Sequence, residues 1–330
     1  MLNTYVKAFA VAMLATSAVA GAQSVKGTIA LPGLPEQLAV NPITNRVYVA
    51  VPNFGAEPYD TLSVVDGHTD AVIQNIEIPP VAYAVAVDPF RCLVYVGGTY
   101  VDASGVSQNE VAVVNARTNT VQKTIAISTT PGNGIQGLAV NEATGMLYVS
   151  NGSDNELDVV QNLTVQQRIS LSAQPFGVAV NPLIGNVYVA LVDGNVSIIN
   201  AKTNQITVTT PFGASDAGIA VNLLTGNVYV ANSVSYPESG SVGALNQSGT
   251  LEAMIPAGYA PLGIDVDFGT NLIFVANSQS NTVGIISGKT NAVTATLPVS
   301  SLFLAVNPVT QKVYVAPSAN TPILTVVNEK

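Results

Sequence analysis

The sequence predicts an all-β protein built as a ring of seven four-stranded sheets, and three observations carry that expectation. The first is composition: across 330 residues, 48% are apolar and 9% charged, so the chain has the makings of a packed core. Val, Thr, Ile and Tyr are plentiful while Glu and Lys are scarce, which favours strand and leaves almost no helix. The second is an internal repeat anchored on "AVN": Ala39-Val40-Asn41, Ala86-Val87-Asp88, Ala139-Val140-Asn141, Ala179-Val180-Asn181, Ala220-Val221-Asn222, Asp265-Val266-Asp267 and Ala305-Val306-Asn307. The third is an aromatic nine residues after each anchor: Tyr48, Tyr95, Tyr148, Tyr188, Tyr229, Phe274 and Tyr314.

Each unit then divides into four strand-like runs. The fourth copy shows them as "FGVAVN", "NVYVALV", "NVSIIN" and "QITVTTP", separated by the turns "PLIG" and "AKTN". Four strands in about 40 residues is the size of one propeller blade. The apolar runs are nearly continuous, as expected of sheets covered on both faces, and the recurring aromatics read as wedges between blades. The ends fit the same ring. "SVKGTIAL" (24–31) resembles a fourth strand without its first three, and the last copy stops after its third, "ILTVVNEK" (323–330). Joining the two ends in one blade completes seven and removes an exposed strand edge.

Residues 1–22 read differently. Lys7 precedes the apolar run "AFAVAMLATSAVA" and small residues follow, the layout of a secretory signal peptide cleaved after Ala20 or Ala22. One propeller domain over 23–330, exported to the periplasm or beyond, is the expectation. Cys92 is the only cysteine, so a disulfide framework is excluded. The formal charge of −9 disfavours nucleic acid and anionic membrane as partners.

With these motifs in hand, the chain resembles the YVTN family of seven-bladed propellers, found in archaeal surface-layer proteins and in bacterial periplasmic YncE-like proteins. The carriers are "AVNPITNRVYVA", "AVNEATGMLYVSN", "AVNPLIGNVYVA" and "AVNLLTGNVYVAN", with the turns "DGHTDAV", "NARTNTV", "NAKTNQI" and "SGKTNAV". The sixth copy departs from them as "DVDFGTNLIFVAN", and the third copy shortens its last turn to "QNLTV". Such motifs specify a fold and say little about an activity.

One histidine and one cysteine exclude most nucleophilic constellations and any His-rich metal or haem site. His68 falls in an exposed turn, and Cys92, in "FRCLVYV", reads as a small apolar residue at a strand start. "GNGIQG" (132–137) matches GxGxxG but precedes a strand, whereas a dinucleotide loop follows one and opens a helix. No catalytic residue and no cofactor are expected.

Candidate binding residues lie where the copies differ. Loops joining strand four to strand one and strand two to strand three share one face, here called the top. Copies one, two and five have the longest top loops, bringing Phe54, Glu57, Tyr59, Asp60, Tyr100, Asp102, Tyr236 and Glu238. At the mouth of the ring, three residues before each anchor, stand Glu36, Tyr83, Gln136, Phe176, Ala217, Leu262 and Leu302. Aromatics beside carboxylates make a ligand surface. Arg46, Arg91, Arg117, Lys202, Lys289 and Lys312 all fall in bottom turns, so an acidic top is expected to favour a cationic or amphipathic ligand or a basic protein segment. Asp265 and Asp267, in the odd sixth copy, share a strand face. They are either a cation site in the channel or, for Asp265, an acceptor of backbone hydrogen bonds from the next blade.

The leading expectation is therefore a monomeric, exported, non-catalytic binding or scaffold propeller. The resemblance also implies two alternatives. Similar propellers include lactonases, carboxymuconate cyclases and the large subunits of amine dehydrogenases, but a lactone-opening site needs a cationic oxyanion stabiliser that the top loops lack. The YncE likeness implies single-stranded DNA binding, which an acidic top opposes.

Overall fold

The computed structural model describes residues 23–53, 58–213 and 218–329. The segment 1–22, with its proposed cleavage sites, and the candidates Phe54 and Glu57 lie outside the described residues. The described chain forms seven antiparallel four-stranded sheets. The innermost strands, Leu38–Asn41, Ala84–Asp88, Ile135–Asn141, Pro175–Asn181, Ile219–Val221, Pro261–Asp267 and Phe303–Asn307, stand side by side around a central channel. Blade seven is a composite. Ser24–Ala30 pairs antiparallel with Ile323–Asn328 and supplies the outer strand that the C-terminal part lacks.

The repeat has a physical reason at each conserved position of the unit. The residue closing each inner strand is Asn41, Asp88, Asn141, Asn181, Asn222, Asp267 or Asn307, and its side-chain oxygen accepts N–H groups of the turn that follows. Asn41 Oδ1, for instance, takes those of Ile43 and Thr44 at 3.0 and 3.1 Å. This Asx turn reverses the chain at the bottom face while satisfying donors that the sheet cannot reach. The turn then needs one left-handed residue, and Asn45, Cys92, Gly145, Gly185, Gly226, Asn271 and Gln311 occupy that slot with φ between 52° and 79°. Cys92 thus belongs to the turn and not to a strand start, and its thiol is half-buried beside Arg117, whose Nε donates to Sγ at 3.1 Å. The shortened third copy solves its outer turn differently, with Asn162 and Leu163 both at positive φ in a two-residue hairpin.

Packing between blades supplies the core. The seven aromatics are all buried, from 0% exposed at Tyr148 to 3% at Tyr95, and each sits in an apolar cluster spanning two neighbouring blades. Burying each contributes roughly 1.5–3 kcal/mol. In all seven blades the pairing of strands three and four carries a bulge near the bottom, which adds the twist a radial sheet requires.

Candidate functional site

The long top loops of copies one and two come together, and the ground between them is a pocket of about 480 Å³. Four of the sequence candidates, Glu36, Asp60, Tyr83 and Tyr100, line it. Its walls are otherwise apolar: Pro52, Pro58, Pro80, Val81, Ala82 and Val101, with Gly98 and Thr99 between them. Among the described residues no Lys or Arg lines it.

Each wall is positioned by local chemistry. Asp60 is 6% exposed, and its two oxygens accept the N–H groups of Asn53 (2.9 Å) and Ala82 (2.8 Å). That clamp ties the blade-one loop to the linker entering blade two. The loop of copy two is largely strand: Leu93–Val101 and Ser107–Asn115 run nine residues each and project as a hairpin. Asp102 closes its tip, accepting the N–H groups of Ser104 and Val106 and the Gln108 amide. Tyr100 stands on this hairpin and donates to Glu110 at 3.4 Å. Burial, then the Glu110 charge, raises its pKa. Gly98 forms the floor, where a Cβ would meet the Val81 carbonyl oxygen at 2.6 Å. The "GG" at 97–98 was the available signal for this close approach.

Glu36 differs from the other acids. It is half-buried, its carboxylate makes no hydrogen bond or ion pair among the described residues, and burial alone raises its pKa. Tyr83 separates the pocket from the channel. It lines the pocket and meets Phe303 of blade seven edge to face, with centroids 6.1 Å apart. Gln37 donates to the carbonyl of Gln136 from across the mouth (2.8 Å).

The remaining candidates are dispersed. Phe176 lines the channel, a space of about 300 Å³ bounded by inner strands. Tyr59 offers its backbone carbonyl to Asn53. Tyr236 is 72% exposed over blade five, edge to face with Tyr259 at 5.4 Å, and neither it nor Glu238 reaches the pocket. Asp265 lines the channel, and its oxygens accept the N–H groups of Val266 and of Val306 in blade seven, both at 2.8 Å. Burial raises its pKa to about 6, against those two hydrogen bonds. Asp267 caps its own turn as the asparagines do elsewhere. Among the described residues no cluster of three or more His, Cys, Asp or Glu is arranged to hold a metal. The acidity of the top is also tempered at blade three, where Arg168, on the outer strand, pairs with Asp158 (3.0 Å) and Glu156 (3.7 Å).

Comparison with known proteins bears on the fold. A structure from Kuenenia stuttgartiensis hydrazine synthase matches with a TM-score of 0.73 and 16% identity, covering 90% of this chain and 95% of that one. At that identity the likeness is one of fold, that of a seven-bladed propeller. No family model matches the chain, and no curated protein does. No helix among the described residues is long and apolar enough to cross a membrane.

Proposed function

We propose that the protein is an exported, non-catalytic binding propeller that takes a cationic ligand with an apolar body in the pocket between blades one and two. The observation that carries this reading is Glu36, a half-buried carboxylate with no partner among the described residues, set among proline, valine and tyrosine walls. A buried carboxylate is disfavoured when ionised and alone. An ammonium group brought by a ligand removes that penalty, while Tyr83 and Tyr100 offer faces to its cationic end or its apolar body. Export is supported by the signal-like segment and by the resemblance of the repeat to that of the YVTN family, whose surface-layer and YncE-like members are exported. The lactonase alternative lacks a cation among the lining residues to stabilise an oxyanion, and the DNA alternative meets an acidic pocket.

Titration calorimetry with cyclohexylamine and with tetramethylammonium tests the proposal. Wild type should bind at least one of them saturably at pH 7.5, and Glu36→Gln should weaken that binding at least tenfold. No binding by wild type, or equal binding by the variant, removes the assignment. Turnover of small esters, lactones or amines by the purified protein would overturn the non-catalytic reading.

A further inference from the structure

A further cavity, of about 260 Å³, lies between blades five and six on the outer flank, remote from the pocket and the channel above. It is lined by Ala257, Gly258, Val275, Asn277, Gly284 and Val293, among others, and no charged residue borders it. Its origin is legible by comparing the blades of this chain with one another.

At the top end of each outer strand, within the strand or one or two residues past it, the chain packs a side chain into the next interface. Matching the registers of strands three and four aligns Leu31, Ile78, Ile127, Leu171, Phe212, Ala257 and Val299 at this position. Four of these N–H groups make the same bond: Leu31 to Pro322, Leu171 to Asn155, Phe212 to Gly194 and Ala257 to Gly240, each to the carbonyl just ahead of strand three. Six of the seven are large and apolar. Ala257 is the exception.

The neighbouring interface shows what the space accommodates. Facing Phe212 is Gly243 of blade five, paired with Val230 in strand two. A Cβ there would meet Phe212 Cε2 at 1.8 Å and Cζ at 2.6 Å, so the phenyl ring lies against bare backbone. Gly284 holds the equivalent place in blade six, paired with Val275. Its nearest non-adjacent atom on such a Cβ would be Asn277 Nδ2, at 3.3 Å. Blade six therefore keeps the glycine that admits a ring while the linker supplies only a methyl group.

We propose that this interface is a binding site for a small neutral aromatic molecule, its ring seated over Gly284 as Phe212 is seated over Gly243. The volume suffices, since an apolar cavity of about 150 Å³ takes up benzene. Val293 is 44% exposed at the rim, leaving a route of entry. Asn277 already has its polar atoms bound to Thr282 and to the Gly258 N–H, so the cavity makes no demand for charge.

Phenol, followed by ligand-observed NMR and calorimetry, is the probe. Wild type should bind one equivalent saturably in the millimolar range or tighter, and cyclohexanol at least tenfold more weakly. Ala257→Phe should fill the cavity, weaken phenol binding at least tenfold and raise Tm. Ala257→Leu, matching Leu31 and Leu171, makes the same test with a smaller side chain if the phenylalanine variant fails to fold. Absence of saturable phenol binding by wild type, or binding unchanged in a folded variant, overturns the site. Equal binding of cyclohexanol overturns the aromatic assignment.

Discussion

Lys312 donates to both carboxylate oxygens of Asp70, at 2.8 and 2.9 Å, across the seam where the last blade meets the first. Asp70 also pairs with Lys26 on the N-terminal strand and accepts the Tyr314 hydroxyl at 2.8 Å. The same bottom turn bolts other blades with neutral groups: Asn119 to Gln74 at 3.0 Å, and Asn204 to Gln167 at 3.1 Å. Only 9% of the Lys312 side chain and 11% of the Asp70 side chain are exposed. The interface between the last blade and the first is thus latched by ions. Lys312→Met leaves a buried carboxylate with Lys26 as its remaining cation, and should cost about 3 kcal/mol, read as the shift in guanidinium unfolding. A loss below about 0.5 kcal/mol, the level of an exposed pair, would show the latch to be ornamental.

Stability should rise as pH falls from 8 to 5. Burial pushes the carboxyls of Asp158 and Asp265 up to about 6, and burial together with the Asp88 charge pushes Glu142 up to about 7. Folded values above the unfolded ones mean that the fold favours the protonated forms, so this contribution is complete below the unfolded pKa and is lost as pH rises through 6 to 7. The seam acts oppositely. Burial opposes ionisation of Asp70, but hydrogen bonds from Lys26, Lys312 and Tyr314 outweigh it and hold the group below its ordinary value, so the latch weakens in strong acid. Denaturant midpoints across pH 3 to 8 should therefore peak between about 4 and 6, and Asp265→Asn should flatten the limb above the peak. A midpoint that climbs steadily toward pH 8 contradicts the account.

How much of this was legible in sequence depends on whether a feature repeats. The ring, its closure by 24–31 and the buried aromatics follow from a period that every blade enforces. The Asn of "AVN" could be placed at the bottom turn from its position, although its role as acceptor appears only with the turn N–H groups in place. The pocket was half legible: long loops marked copies one and two, but the same signal marked copy five, whose Tyr236 folds onto Tyr259 instead. Loop length says nothing about which way a loop leans. Counting loop charges also missed Arg168, because it reaches Glu156 from an outer strand. The Ala257 and Gly284 pairing is invisible until strand registers align positions 27 residues apart in the chain.

Cys92 was misread because "FRCLVYV" is apolar after the arginine, whereas its register matches Asn45, Gly145 and Gln311. A β-carbon in the left-handed region costs about 1–2 kcal/mol, offset in part by the greater freedom glycine has when unfolded. Cys92→Gly should accordingly stabilise the fold by about 0.5–1 kcal/mol, even though the contact with Arg117 is lost. Thermal unfolding of the variant checks this, and a lowered Tm would mean that the Arg117 contact outweighs the backbone strain.

Gly98 offers the sharpest link between backbone and binding. Its Cα approaches Val81 so closely that a methyl group would sit 2.6 Å from the carbonyl oxygen, inside contact distance and against backbone, which yields less readily than a side chain. Gly98→Ala should push the 79–83 linker away from the hairpin, carrying Pro80, Val81 and Tyr83 with it, since all three line the pocket. The Asp60 clamp on Ala82 resists that shift, so the strain is shared between the linker and the blade-one loop. The expected result is a folded protein, destabilised by about 1–3 kcal/mol as overpacked sites are, with cyclohexylammonium binding weakened at least fivefold. Asp60→Asn releases the clamp and should partly restore binding in the Gly98→Ala background while lowering stability further. Undiminished binding in Gly98→Ala would show that the ligand does not rest on this floor.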